Sequence, residues 1–270
     1  MSTQFTHTPK LTYPLGLLVA LVSAGGLLIP GQYARETANW AVQGYAQDWV
    51  DLVLLAPVLL LATFMARRGS RVATLVLGGA LAQSLYGFIL YTFAVHYNRL
   101  FLAYCACLGL SVFGLILWWR ETGEDQVASW FDPSRSNRIP AWFLIVTGAL
   151  FLLMWLSEDL PAVLNNTVPK SLADGGLFTN PVHVLDYSVF LPAFFLSGVL
   201  LLKKKPLGAI LFPVMLTFSI LMGTTVGFLI WYMGVKGVAE PGPMPCVFAA
   251  VVGLSIVALS LFLRSMKLNT

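Results

Sequence analysis

The sequence has very few charged residues for its length, and this scarcity excludes most classes of soluble protein. Asp, Glu, Lys and Arg together make up 10% of the 270 residues, whereas 58% are hydrophobic and the mean hydropathy is +0.80. A soluble helical protein needs a polar face on each helix, but the apolar runs here last about 20 residues, the length that spans a hydrocarbon core of ~30 Å. The chain is therefore predicted to be an integral membrane protein.

Histidine and cysteine are also scarce, with three residues of each, and the common catalytic motifs are missing. No Walker A sequence, GxGxxG turn, HExxH or GxSxG motif occurs in a usable context, which argues against a nucleotide motor, a zincin and a serine hydrolase. The cysteines lack the CxxC spacing of a thiol oxidoreductase, and no histidine pair lies at mid-membrane depth to hold haem. We therefore expect no cofactor.

Eight apolar runs fill almost the whole chain and leave no room for a separate soluble domain. They cover about 12–30, 49–66, 72–95, 100–119, 140–157, 182–202, 207–232 and 245–263. This pattern predicts an all-α integral membrane helical bundle with eight transmembrane helices, surrounded by a lipid bilayer.

The basic residues predict how the bundle is oriented, because Lys and Arg resist translocation and mark cytoplasmic loops. With a cytoplasmic amino terminus, all but four of the sixteen Lys and Arg residues lie on the cytoplasmic side. The exceptions are Arg35, Arg99, Lys170 and Lys236. Both termini are thus predicted to be cytoplasmic, and the net charge of +4 reflects topology rather than nucleic-acid binding.

Several segments of the first half of the chain recur in the second half. "GLSVFGLILWWR" at 109–120 matches "GLSIVALSLFLR" at 253–264, "DLVLLAP" at 51–57 matches "DYSVFLP" at 186–192, and "YGFILY" at 86–91 matches "VGFLIWY" at 226–232. Landmarks in one order predict two parallel four-helix repeats, 1–125 and 126–270, related by an axis along the membrane normal. Chance similarity between leucine-rich helices is the alternative.

Ionisable residues cluster where the second and sixth helices begin. Asp48 and Asp51 lie three residues apart, and His183 and Asp186 occupy the matching positions of the second repeat. Carboxylates in the first turn of a helix are favoured by its unpaired amides, so a structural role is the alternative for Asp48. Asp51 and Asp186 lie a turn deeper, where an ionisable group is costly and commonly serves a pathway or a partner.

Further polar residues are predicted on the same side of the membrane. The hairpin after the third helix supplies His96, Tyr97 and Asn98, and the long loop after the fifth supplies Glu158. The candidate solute- or ion-binding residues are therefore Asp51, Asp186, His183, Asp48, His96, Tyr97, Asn98 and Glu158. Among them, His96, His183, Asp51 and Asp186 are candidate zinc or iron ligands, although no tight metal motif is present.

Two further expectations concern helix geometry. The spacing of Tyr33, Trp40, Tyr45 and Trp49 predicts an amphipathic helix lying in the outer interface. In the seventh run, Pro213 and the stretch 223–227 are compatible with a helix broken at a substrate site, although close helix packing is the simpler interpretation.

Three function classes are compatible with these features. The leading hypothesis is a transporter for a small solute, or one coupled to ions or protons, with an outward-facing polar site between the repeats. The second is a membrane-embedded metal-dependent enzyme. The third is a structural or assembly subunit, whose partner would be a second copy of the chain or another membrane protein.

The segments "YNRLFLAY" and "NPVHVLDYSVFLPAFFL" resemble a group of uncharacterised bacterial polytopic membrane proteins, and the resemblance extends over most of the chain. It implies about eight helices and a bacterial inner membrane. It implies no activity, because these motifs have no assigned role.

Overall fold

The fold is a bundle of long apolar helices. The structure is a computed structural model, which describes residues 5–132, 134 and 137–267. Over these residues, eight helices are long and apolar enough to cross a membrane. They are α1 (Thr8–Leu28), α2 (Ala38–Arg67), α3 (Arg71–Phe93), α4 (Phe101–Thr122), α5 (Arg138–Asn165), α6 (Pro181–Leu202), α7 (Pro206–Val235) and α8 (Met244–Leu263). The predicted all-α, multi-pass membrane protein is confirmed. Two short helices, Glu124–Ser129 and Lys170–Gly175, lie between the long ones.

Local sequence signals explain several helix starts. The side chains of Thr37, Ser70 and Asn180 accept hydrogen bonds from backbone amides in the first turns of α2, α3 and α6. These caps satisfy amides that have no partner within the helix. Pro181 follows directly after Asn180 and suits the first helical position, because its missing N–H would be unpaired there in any case.

The helix contacts follow the same order in the two halves of the chain. In the first half, α1 to α4, α1 contacts α2 and α4, and α3 contacts the same two helices. In the second half, α5 to α8, α5 contacts α6 and α8, and α7 contacts the same two. The halves meet through α3 against α7, α2 against α7, and α3 against the start of α6. As a result α3 and α7 are the most buried spans, and they form the centre of the bundle.

Small residues permit the closest helix contacts. A Cβ atom at Gly79 of α3 would lie 2.8 Å from the carbonyl oxygen of Val214 of α7 and would overlap Thr217. At the preceding residue, a Cβ atom at Gly78 would overlap the ring of Trp118 of α4, whose indole N–H donates to the Thr74 carbonyl at 2.8 Å. Glycine is therefore required where α3 touches both neighbours, as close packing of membrane helices requires.

The recurring GLS segments occupy similar places in the two halves. Ser111 of α4 hydrogen-bonds Ser84 of α3 at 2.8 Å, and Ser255 of α8 hydrogen-bonds Ser219 of α7 at 3.1 Å. Both pairs are buried, where a hydroxyl without a partner would be costly. Each GLS serine thus joins the last helix of its half to the helix before it.

The two ends of the bundle are held by different contacts. One end is formed by residues 29–51, 94–100, 158–186 and 236–243 and is called the acidic end, because it has eight Asp and Glu residues and four Lys and Arg residues. There Arg35 donates to the Tyr97 carbonyl and Thr37 donates to the Asp174 carbonyl at 3.1 Å. At the opposite, basic end, the backbone amides of His7 and Thr8 donate to the Glu121 carboxylate. The loops at each end are therefore tied to one another across the bundle.

Of the two expectations about helix geometry, the interfacial helix is wrong and the preferred interpretation of residues 223–227 as a packing surface is confirmed. Residues 38–50 do not form a separate interfacial helix but are the first part of α2, where Trp40 is partly buried and donates to the Ala94 carbonyl. Asp48 consequently lies about three turns inside α2 and cannot act in its first turn. In contrast, α7 runs unbroken from Pro206 to Val235, and Gly223 and Gly227 pack against α8, as the simpler interpretation predicted.

Candidate functional site

The two repeated aspartates begin the same unusual backbone feature. A π-helical turn spans Asp51–Leu55 in α2, and another spans Asp186–Phe190 in α6. In each, the backbone amide of the residue that directly follows the turn donates to the aspartate carbonyl, Ala56 to Asp51 and Leu191 to Asp186. The next residue along the chain is a proline, Pro57 after Ala56 and Pro192 after Leu191. Because proline has no N–H and its ring crowds the preceding turn, a widened turn accommodates it.

The acidic residues of α2 are sealed inside the first half. Asp48 accepts hydrogen bonds from the Tyr33 hydroxyl at 2.7 Å and from the Tyr91 hydroxyl at 2.8 Å. Asp51 accepts one from the Gln47 side chain, one turn earlier in the same helix, at 2.8 Å. Both carboxyl groups are buried, with exposed fractions of 0% and 1%.

The Tyr33 hydroxyl is a dependable donor to Asp48. Tyr33 lies in the segment between α1 and α2 and is buried. Burial and the neighbouring Asp48 carboxyl raise the pKa of the Tyr33 hydroxyl well above its ordinary value. The hydroxyl therefore stays protonated, and the contact with Asp48 persists across the physiological pH range.

The corresponding residues of α6 have different partners. His183 is buried, and its Nδ1 atom lies 2.8 Å from Oδ2 of Asp159 at the acidic end of α5. The same Asp159 oxygen accepts a hydrogen bond from the Tyr187 hydroxyl at 2.9 Å. The Trp155 ring packs over His183 with a centroid separation of 4.3 Å. These contacts fix the orientation of the imidazole ring.

Asp186 is bonded from both halves of the protein. Its Oδ2 atom accepts a hydrogen bond from the Trp155 indole N–H of α5 at 2.8 Å. Its Oδ1 atom accepts one from the Tyr86 hydroxyl of α3 at 3.2 Å. Asp186 is therefore a polar connection between the second half and the central helix of the first half.

A cavity of about 320 Å³ lies between the two halves beside Asp186. Its lining comes from α2 and α3 of the first half, from α5 to α8 of the second, and from the 166–180 segment. The polar and ionisable lining residues are Gln43, Gln47, Tyr86, Tyr91, Glu158, Ser171, Asn180, His183, Asp186, Ser219 and Thr225. Aromatic and aliphatic side chains form most of the remaining wall, as is usual in sites for small molecules.

The structure brings only some of the predicted residues to this cavity. Asp186, His183 and Glu158 line it, whereas Asp48 and Asp51 stand behind its wall, where Gln47 separates Asp51 from the open space. Glu158 also accepts a hydrogen bond from the Ser171 backbone amide at 3.1 Å. The predicted convergence of the two acidic pairs is therefore incomplete, because the second pair reaches the cavity and the first does not.

The hairpin residues belong to a separate surface cluster. His96 is exposed, and its Nδ1 atom lies 2.8 Å from the Glu36 carboxylate. Tyr97 is exposed as well, and the Asn98 side chain accepts a hydrogen bond from the Leu100 amide. Over residues 5–132, 134 and 137–267, no three His, Cys, Asp or Glu side chains form a group suited to a metal ion. The candidate ligands His96, His183, Asp51 and Asp186 are thus not assembled.

Trp155 was missed by sequence reasoning, although it contacts both Asp186 and His183. A detectable signal exists, because Trp155 precedes Glu158 and Asp159 by three and four residues on one helix. Residues at this spacing share a helix face. An indole N–H on the same face as two carboxylates at a membrane boundary indicates a polar site on that side of α5.

Comparisons with protein-family models, with curated proteins and with solved structures found no match to this chain. The predicted family and the bacterial inner membrane therefore stay predictions. What the protein does has to be argued from its cavity and from the side chains that line it.

Proposed function

We propose that the protein is a transporter for a small solute, coupled to an ion or proton, whose binding site is the cavity between two parallel four-helix repeats, 1–125 and 126–270. The observation that carries this proposal is the cavity at the junction of the halves, with Asp186 in its wall. Transporters built from repeats commonly bind their substrate at the interface between them, where a relative movement of the halves can change access.

The internal correspondence of the two halves supports the duplication. Each half has the same order of helix contacts, a π-helical turn that begins at an aspartate, and a buried serine pair at the GLS segment. The halves contact one another in a reciprocal manner, since α2 meets α7 and α6 meets α3 around the central α3–α7 pair. Such reciprocity is expected of a pseudo-twofold axis along the membrane normal.

Asp186 offers a route by which binding can be coupled to movement. Its hydrogen bond from Tyr86 joins the second half to the first. A cation or a proton bound at Asp186 draws negative charge away from the carboxylate, and this weakens the hydrogen bond that it accepts from Tyr86. A ligand with different affinities for the two arrangements shifts the balance between them.

The distribution of charge supports an outward-facing site. The cavity is lined by Ser171, Leu177 and Asn180 of the acidic end, which has four of the sixteen Lys and Arg residues, whereas α1 begins and α8 ends at the basic end. Because cytoplasmic loops have an excess of Lys and Arg, the basic end is assigned to the cytoplasm of a bacterial cell and the acidic end to the outer side of its inner membrane.

The experiment is a two-sided accessibility test in a variant whose three cysteines are replaced by serine. Ser219→Cys places a thiol in the cavity wall, and Lys170→Cys and Lys204→Cys report the two sides of the membrane. In sealed vesicles, a small membrane-impermeant methanethiosulfonate should reach position 170 only from outside and position 204 only from inside.

For a transporter, Ser219→Cys should react from both sides, because the cavity opens alternately to each. Reaction from one side only would overturn transport. In the same vesicles, Asp186→Asn should change the ratio of the two rates, since it weakens the link between the halves, while Asp51→Asn is the matched control and should leave that ratio unchanged.

The His183–Asp159 pair supports a second candidate function, that of a membrane-embedded enzyme. A carboxylate that fixes one nitrogen of an imidazole leaves the other available for proton transfer, as general acid–base catalysis requires. The measurement is elemental analysis and solute turnover by purified protein. Stoichiometric zinc or iron that is lost in His183→Ala would support the metal-dependent form of this hypothesis.

A further inference from the structure

We propose that the cavity binds a small organic cation, a quaternary ammonium or protonated amine with an apolar body. This inference rests on the proposed function in that it concerns the same cavity, and it names the chemical class of the solute. It is carried by the charge of the lining, by the aromatic rings beside Asp186, and by the apolar walls farther away.

The ionisable groups of the cavity favour a positive ligand. Asp186 and Glu158 line it, and none of the described residues in its wall is Lys or Arg. His183 adds no uncompensated positive charge, because Asp159 lies 2.8 Å from its ring nitrogen. A cation inside a wall of low dielectric is therefore attracted, whereas an anion is repelled by both carboxylates.

The Asp186 carboxylate can accept contacts beyond the two hydrogen bonds that it already has. Each of its two oxygens accepts one hydrogen bond, which is the pattern of a carboxylate, and each carboxylate oxygen has room for a second contact. Asp186 is also less buried than Asp51, its counterpart in the other half. It can thus meet a ligand without losing either of its present donors.

The two aromatic donors to Asp186, Tyr86 and Trp155, line the cavity together with further aromatic rings. The Tyr86 and Phe190 rings meet edge to face with centroids 4.9 Å apart, and Phe190 stacks on Phe218 at 4.3 Å. Trp155 completes the group beside His183. Faces of aromatic rings attract ammonium groups, and an aromatic enclosure with a carboxylate is a favourable environment for a quaternary ammonium.

The remaining wall is suited to the apolar part of the same molecule. Met222, Val226 and Leu229 of α7 and Phe248 and Val251 of α8 line it without a charged group. A volume of about 320 Å³ is at the small end of the range for small-molecule sites. The cavity therefore suits one compact molecule, and it excludes peptides and other polymers.

The test is a binding measurement on the purified full-length protein in detergent, which does not depend on transport. The probes are choline and its uncharged carbon isostere 3,3-dimethylbutan-1-ol, together with benzyltrimethylammonium and the aromatic anion phenylacetate. Calorimetry or quenching of tryptophan fluorescence gives the affinities. We expect benzyltrimethylammonium to bind most tightly, choline at least tenfold more tightly than its isostere, and phenylacetate not at all.

Matched variants locate the binding site. Asp186→Asn should weaken benzyltrimethylammonium binding at least tenfold, whereas Asp51→Asn, which changes the corresponding residue behind the wall, should keep the affinity within twofold. If Asp186→Asn cannot be purified as a monodisperse protein, Glu158→Gln, which removes the other carboxylate of the lining, should still weaken binding about threefold.

Three results would each overturn the cation proposal: equal binding of choline and its isostere, unchanged affinity in Asp186→Asn, or no binding of either ammonium probe. These results are separate from a failure of the transport proposal. Ammonium binding with one-sided labelling of position 219 would retain the cation site and remove transport, and two-sided labelling without ammonium binding would do the reverse.

Discussion

The acidic turn of α2 and the acidic turn of α6 have one backbone design and two different surroundings. Both begin at an aspartate, widen into a π-helical turn and are followed by proline. The α2 carboxyls are sealed by donors from their own half, Tyr33, Gln47 and Tyr91. The Asp186 carboxyl of α6 faces a cavity and accepts a donor from the opposite half. A repeated local sequence therefore fixes the backbone, while the neighbours decide what the carboxylate can do.

The packing between the halves explains this asymmetry. The first part of α2 lies along α7, whereas the backbone of α6 approaches α3 at Pro181–Leu185. Asp186 and Phe190 of α6 then contact α3 through the Tyr86 side chain. Beyond that point the bulky rings of Phe190, Phe194 and Phe218 keep the helices apart and border the open space. The cavity therefore lies beside Asp186, and from α2 it is lined by Gln43 and Gln47 rather than by Asp48 or Asp51.

The largest expected effect on stability comes from Gly26 of α1, which leaves room for the Asp48 side chain of α2. A Cβ atom at Gly26 would overlap the Asp48 carboxyl group, so Gly26→Ala should lower the free energy of unfolding by about 3 kcal/mol. Gly25→Ala is the control, because its Cβ atom would lie 3.3 Å from the end of the flexible Leu100 side chain. SDS titration of the two variants measures the difference. Equal stability of both would show that Asp48 is not tightly enclosed.

Removal of the carboxylate acceptor beside each turn should reveal a second difference in stability between the two regions. Asp48→Ala leaves the buried hydroxyls of Tyr33 and Tyr91 without a partner, which should cost about 2 kcal/mol of unfolding free energy. Asp159→Ala also removes an acceptor with two partners, but its side chain is 22% exposed, so water replaces it and the cost should stay below about 1 kcal/mol. A larger loss in Asp159→Ala would contradict the comparison.

Deletion of single hydroxyl groups should give a smaller effect of the same sign. Tyr33→Phe removes a buried donor to Asp48 and should cost about 1 kcal/mol, whereas Tyr187→Phe removes a half-exposed donor to Asp159 and should cost less than about 0.5 kcal/mol. The unfolding midpoints of the two variants in one detergent provide the check. Equal unfolding midpoints would contradict this expectation, because they would mean that water reaches the Asp48 and Asp159 hydrogen bonds equally.

The smallest effect on stability is expected at the two prolines. Pro57→Ala and Pro192→Ala each restore a backbone N–H and remove the crowding that the widened turn relieves, so the unfolding free energy should change by no more than about 0.5 kcal/mol. Only Pro192→Ala repositions a carboxylate of the cavity. It should therefore change benzyltrimethylammonium affinity several-fold, and an equal change in Pro57→Ala would be evidence against separate roles.

The sequence predicted some features of the candidate site and not others, for physical reasons. Asp186, His183 and Glu158 were predicted because ionisable groups at membrane boundaries are conspicuous in an apolar chain, and all three line the cavity. His96, Tyr97 and Asn98 lie on the same side but pair with loop residues instead. Position along the membrane normal can be deduced from sequence, whereas lateral position depends on how the helices pack.

The sequence by itself determined the eight spans, because the length of an apolar run and the cost of an unpaired backbone group in lipid allow little else. It also placed an aspartate and a proline at matching positions of two helices. Only the tertiary structure decided that Asp48 and Asp51 are enclosed and that Asp186 reaches a cavity. That outcome depends on Tyr33, Tyr91, Trp155 and Tyr86, and Tyr86 is 100 residues from Asp186 along the chain. Burial and hydrogen bonding are properties of residues that meet in space, and no local pattern specifies them.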